Sequence, residues 1–149
     1  MKAIYWDMDG TIANLYSVRD WQRRLDAHDP SPYKIAAPMH DMDKLNDIMK
    51  QFIKAGIVIG VISWLAMNSD KEYDKAVRKA KREWLDKYLP TAQEIHLVKY
   101  GTRKKSCAKI KDAILIDDNE DVRNSWRGIS LDPTCEDFVN QLEKLLETV

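Results

Sequence analysis

Residues 57–63 read IVIGVIS, seven positions with no charge and a single hydroxyl at the end. A strand with one face in water alternates apolar with polar residues. This stretch is apolar on both faces, as an internal strand of a parallel sheet covered on both sides is. Parallel neighbours need long crossover connections, usually helical and right-handed. The chain must therefore supply further short apolar runs separated by amphipathic helices.

It does so from the start. KAIYWD (2–7), EIHLV (94–98), AILID (113–117) and GISL (128–131) complete a set of about five strands. Between the first two, residues 41–56 predict a helix with Met42, Leu45, Ile48, Met49, Phe52 and Ile53 on one face, stopped by Gly56. A longer helix is expected over 69–88, with Tyr73, Val77, Ala80, Trp84 and Tyr88 on its apolar stripe, ended by Pro90. Its many charges read as a solvated face. After AILID, the segment NEDVRNSW predicts a short helix. Thr134 reads as the N-cap of the last helix, with Asp137 three residues on and Phe138, Val139, Leu142, Leu145 and Leu146 on its buried side. Residues 18–27 predict a short helix with Val18, Trp21 and Leu25 together. Residues 28–38, with three prolines, read mostly as loop. The 149 residues suit one domain with one α/β fold.

Twenty-four basic residues balance twenty-four acidic ones, so overall charge makes no case for nucleic acid or a membrane as partner. Residues 55–67 are the longest apolar run, too short to span a bilayer. A strand-like pattern begins at residue 2 where a leader would lie, and the expectation is a cytoplasmic protein. Cys107 and Cys135 form no C-x-x-C and read as buried, reduced thiols.

In a doubly covered parallel sheet the ligand sits at the carboxyl ends of the strands. Three of the expected strands end in polar residues. The first runs into Asp7-Met8-Asp9-Gly10-Thr11, the second into Ser63, and the fourth into Asp117-Asp118, with Asp121 one helical turn beyond. The topology gathers these acids in one crevice, where they cannot all stay ionised without a cation. Oxygen donors with no nearby His or Cys favour Mg²⁺ over zinc. His28, His40 and His96 are isolated and read as surface or structural residues. The segment KYGTRKKSCAKIK (99–111) holds six basic residues and no acidic one just before the acidic strand end. One of its lysines is expected in the site.

These residues resemble the haloacid dehalogenase superfamily of phosphohydrolases. The first motif of that family is D-x-D-x-T after an apolar strand, here Asp7 to Thr11. A Ser or Thr ends the next strand, here Ser63. A lysine begins a later helix, and an acidic pair ends the following strand, here Asp117 and Asp118. The resemblance covers residues 2–131. It implies a Rossmann-like fold of strand order 3-2-1-4-5 with a small cap inserted over about 14–40. It implies a Mg²⁺-dependent phosphatase acting through an aspartyl-phosphate. Asp7 would be the nucleophile and Asp9 the general acid and base. Asp7, Asp9, Asp117 and Asp118 would hold the metal. Thr11, Ser63 and Trp64 would bind substrate. The segment GTRKKS resembles the T-R-x-K run of deoxyribonucleotidases, which gives the catalytic lysine to Lys105, with Lys104, Lys109 and Lys99 as alternatives.

The resemblance also points to a nucleotide-like phosphomonoester as substrate. DMDGTIA and LIDD resemble 5′(3′)-deoxyribonucleotidases, and IDDNEDVRNSWRGI resembles polynucleotide 3′-phosphatases, so a nucleic-acid 3′ end is a second candidate partner. Tyr16, Trp21, Tyr33 and Trp64 are candidates to stack on a base, or to pack in the core. A receiver-type phospho-switch, without turnover, also gathers acids and Mg²⁺ on a parallel sheet. Its phosphorylated Asp ends the third strand, however, and EIHLV ends without one.

Overall fold

The computed structural model describes residues 1–149. Five strands, β1 (Ala3–Trp6), β2 (Val58–Trp64), β3 (Glu94–Val98), β4 (Ala113–Ile116) and β5 (Ser130–Leu131), form one sheet. All pairings are parallel and the order is β3-β2-β1-β4-β5, as expected. β1 lies at the centre, with Trp6 in register with Val61 on one side and Ile116 on the other. β1 and β4 are buried at every position, which is why their sequences show no alternation.

Seven helices cover the sheet: α1 (Trp21–Asp26), α2 (Ser31–Ile35), α3 (Met42–Lys54), α4 (Lys71–Tyr88), α5 (Lys104–Cys107), α6 (Glu120–Ser125) and α7 (Phe138–Leu146). The two faces are unequal. Ile4, Trp6, Val61 and Ile116 point to a large core with Phe52 of α3, Val77 and Trp84 of α4, and Phe138 and Leu142 of α7. Ala3, Tyr5, Ile62 and Leu115 point the other way, to a smaller core closed by Val122 and Trp126. On that face the Tyr5 ring lies across Gly60, where a Cβ would fall 2.6 Å from the ring carbons. Any side chain there would have to displace the Tyr5 ring.

The long helices start where their caps put them. The Asp41 carboxylate accepts from the Lys44 N–H at 3.1 Å, and that of Asp70 from the Tyr73 N–H at 2.8 Å. The last helix departs from expectation. Thr134 donates its N–H and its hydroxyl to Asp132 Oδ1, at 2.9 and 2.7 Å, which closes a turn ahead of the helix. α7 starts only at Phe138. Among the prolines, Ser31–Ile35 is helical, with Pro32 in its first turn where no N–H is needed. Cys107 and Cys135 are free thiols, but neither is buried and Cys135 is exposed. No helix is long and apolar enough to cross a membrane.

Residues 14–40 leave the sheet and return. They hold a 3₁₀ turn (Leu15–Ser17), α1 and α2. Two buried-end hydrogen bonds tie them to α4. Tyr73 donates its hydroxyl to the Asp29 carbonyl at 2.9 Å, and the Trp84 indole N–H donates to the Ala36 carbonyl at 2.8 Å.

Candidate functional site

The carboxyl ends of β1, β2 and β4 meet, and with them the residues that ended the apolar runs. Carboxylate oxygens of Asp7, Asp117 and Asp118 all lie within 4.8 Å of one another. Asp7 and Asp117 are buried and Asp118 is partly so. Lys104, at the start of α5, donates from Nζ to Asp7 Oδ1 at 2.8 Å and to Asp117 Oδ2 at 2.7 Å. An ammonium has three N–H donors. Two of Lys104's are engaged, and the group lines the cavity described below.

One lysine does not balance three carboxylates. Burial, and after it the charge of Asp7, pushes Asp117 up to about 6 and Asp118 up to about 7. For Lys104, burial works against the charged form, but Asp7 and Asp117 outweigh it and raise its pKa. The cluster has an excess of negative charge that a cation would relieve. Its donors are all oxygens, which suits a hard divalent ion such as Mg²⁺. Gly10, at φ +81°, keeps the chain close beneath it. A Cβ there would lie 2.4 Å from Asp118 Oδ2.

Thr11 was expected to bind substrate. It is fully buried; its one hydroxyl proton has Asp7 Oδ2 (2.9 Å) and Asp118 Oδ1 (3.2 Å) as acceptors, and its oxygen accepts from the Asp118 N–H (3.1 Å). It holds the acids in place from below. Ser63 is likewise turned inward, 1% exposed, and its oxygen accepts from Lys81 at 2.8 Å. Neither hydroxyl reaches the cavity wall. Trp64 does reach it, anchored by its indole N–H to the Thr102 carbonyl at 2.8 Å. Asp121 is exposed and lies outside the acid cluster.

The lysine in the cluster is Lys104, not Lys105. Lys105 donates to the Lys111 carbonyl at 2.6 Å and sits 4.5 Å from the Trp126 ring centre, on the far side of α5. Lys99 and Lys109 are exposed. α5 is a single turn, so a shift of one residue turns a side chain by about 100°. Which lysine points inward depends on where the turn begins, and the string of basic residues does not mark that.

Lys81 of α4 escaped the sequence reading altogether. It is fully buried and donates to Asp9 Oδ2, Ser63 Oγ and the Trp64 carbonyl, each at 2.8 Å. Burial raises the pKa of Asp9 even so, with Lys81 opposing. One signal was present. Lys81 lies four residues after Val77 and three before Trp84, inside the apolar stripe.

A cavity of about 400 Å³ opens above these groups, lined by Asp7, Asp9, Lys104, Asp117 and Asp118 at its floor. Its walls come from residues 14–40 and the loops after β2 and β3. They include Tyr16, Trp21, Tyr33, Trp64 and Tyr100. Tyr16 and Tyr100 are about half exposed, at 53% and 52%, whereas Tyr33 is buried. Trp64 and Tyr100 pair at 5.0 Å between ring centres, as do Tyr16 and Trp21. The histidines lie apart from the acids. His28 stacks on Tyr73, His40 donates from Nε2 to the Thr11 carbonyl at 2.9 Å, and His96 meets Glu94.

Fold and site together define an α/β protein with an all-parallel sheet and an aspartate cluster at its carboxyl edge that can hold a metal. No protein-family model matches the chain, and no curated protein matches it in sequence. The crystal structure of an uncharacterized protein from Corynebacterium glutamicum is similar over 99% of this chain and 96% of its own, with a TM-score of 0.51 and 12% identity. A likeness at that identity concerns the fold alone.

Proposed function

We propose that the chain is a Mg²⁺-dependent phosphatase of the haloacid dehalogenase type, acting on nucleotide-like phosphomonoesters. The observation that carries this reading is Asp7, beside Asp117, Asp118 and Lys104, on the floor of a cavity that also bears Asp9. Asp7, Asp117 and Asp118, with the Asp9 backbone carbonyl, would hold the ion. Bound there, Mg²⁺ would offset charge on the phosphoryl oxygens.

The residues divide the chemistry between them. An Asp7 carboxylate oxygen attacks phosphorus. The bond from phosphorus to the leaving oxygen breaks, its electron pair stays on that oxygen, and Asp9 delivers a proton to it. In the second half, a water oxygen attacks the same phosphorus while Asp9 takes its proton. The bond to Asp7 breaks, and inorganic phosphate leaves. The spare N–H of Lys104 can meet an equatorial oxygen in both halves.

The walls support a flat substrate. A cavity of about 400 Å³ accepts a small organic molecule, and the exposed rings of Tyr16 and Tyr100 offer stacking faces above the carboxylates. A nucleoside monophosphate fits that description, and so does the terminal nucleotide of a 3′-phosphorylated strand. The test is phosphate release over nucleoside 5′- and 3′-monophosphates, sugar phosphates and a 3′-phosphorylated oligonucleotide. The expected result is turnover that EDTA abolishes and Asp7→Asn removes. Unchanged turnover in Asp7→Asn contradicts the assignment. A long-lived phosphorylated protein with no release of phosphate would favour a receiver-type switch instead.

A further inference from the structure

Lys81 is the one fully buried lysine that the chemistry above leaves unused. Its three N–H donors meet three acceptors, Asp9 Oδ2, Ser63 Oγ and the Trp64 carbonyl, each at 2.8 Å. An ammonium so held has no donor left for a ligand and no freedom to turn. Asp9 has no other side-chain hydrogen-bond partner, so its orientation depends on this contact. Lys81 thereby ties α4 to the end of β2 and to the loop after β1. A lysine placed there only to stabilise the fold is a poor choice. Two buried charges cost more to desolvate than two apolar residues of the same volume.

We propose that Lys81 is a positioning residue for Asp9. It occupies Oδ2 and thereby leaves Oδ1 as the oxygen that carries the proton toward the leaving group. The distinction matters because a carboxyl that can rotate offers its proton in several directions, and a misplacement of about 1 Å costs roughly 100-fold in rate. Ser63 acts behind it, as an acceptor that fixes the ammonium. That explains why a residue expected to touch phosphate is turned inward instead.

This inference rests on the phosphatase reading, and the experiment separates the two. Lys81→Met is compared with wild type on a nucleoside 5′-monophosphate, whose alkoxide leaves poorly, and on 2,4-dinitrophenyl phosphate, whose phenolate needs no proton. The parameter is kcat/KM, which covers the steps through loss of the leaving group. The expected result is a fall of about 100-fold on the nucleotide and less than about 3-fold on the aryl ester. A burst of dinitrophenol should also appear in the variant, because hydrolysis of the phosphorylated Asp7 still needs Asp9 as base. Equal losses on both esters, or no loss on either, overturn the inference. A wild type that turns over neither ester overturns the phosphatase reading and this inference with it. Lys81→Gln, which is one bond shorter but keeps an N–H donor, takes the same test if the Met variant does not fold. A further reading needs no lysine variant. In ¹⁵N-lysine-labelled wild type, the buried ammonium groups should give slowly exchanging resonances, and Asp9→Asn should move one of them. No movement contradicts the contact.

Discussion

Two buried lysines serve the two sides of one sheet edge, and they do so differently. Between β1 and β4, Lys104 meets two carboxylates of a three-acid cluster with two of its donors engaged. Between β1 and β2, Lys81 faces one carboxylate and two neutral oxygens with all three donors engaged. The first region carries surplus negative charge and a free N–H, the condition of a site that exchanges ligands. The second is closed and balanced, the condition of a support. The two lysines thus stand on either side of the central strand, one holding Asp7 and the other Asp9.

The comparison can be broken most severely at Asp7. Asp7→Asn should lower turnover by about 10⁴-fold or more, since the proposed mechanism then loses its nucleophile. The same change removes one of three crowded charges, so the metal-free variant should melt no lower than wild type. Calorimetry beside a phosphate assay checks both halves. A variant that loses activity and stability together would make Asp7 a structural residue.

Next in size is Lys104→Met, which leaves buried carboxylates unpaired. At pH 8 without metal it should cost about 3–5 kcal/mol in denaturant unfolding. Lys105→Met should stay within about 0.5 kcal/mol of wild type and keep its activity. The reverse order would restore Lys105 to the role first expected of it.

The pair shows where sequence reading reached and where it stopped. The strand ends were legible because an apolar run that stops at an acid is rare and the parallel sheet has one edge for ligands. Asp7, Asp117 and Asp118 were found that way. Lys104 was named only as an alternative to Lys105, because α5 is a single turn inside a basic string, with nothing to fix its phase. Lys81 was missed because a charge in a charge-rich helix reads as solvated, and only its place between Val77 and Trp84 argued otherwise. Thr11 and Ser63 were named as substrate-binding residues through the resemblance, whose motifs place hydroxyls at these strand ends. Hydroxyls there also serve as props, and a sequence does not say which way they turn. Tyr100 escaped notice because its loop follows a strand with no acid at its end.

A smaller effect sharpens the charge imbalance. Folding raises Asp117 from the ordinary 3.8 to about 6 and Asp118 to about 7. A carboxyl with a raised pKa binds its proton more tightly folded than unfolded. These two groups therefore make the metal-free protein less stable as pH rises from about 4 through 7. Mg²⁺ competes with those protons and restores the loss, so its increment in Tm should be larger at pH 8 than at pH 5. Differential scanning fluorimetry at both pH values reads it. An equal increment at the two would mean that the ion binds elsewhere.

The smallest effect belongs to the walls. Tyr16→Ala should raise KM for a nucleoside monophosphate by about 5-fold, roughly 1 kcal/mol of lost stacking. It should leave kcat within about 2-fold, because the ring touches no reacting atom. An unchanged KM would remove Tyr16 from the substrate surface and leave it to its pairing with Trp21.

The central claim is that Asp7 takes the phosphoryl group on itself. Acid quench of a single turnover, reduction with borohydride and peptide mass spectrometry read this directly. The account predicts that residue 7 is recovered as homoserine, in wild type and not in Asp7→Asn. Turnover that leaves residue 7 unmodified, or modification of Asp9, Asp117 or Asp118 in its place, would contradict it.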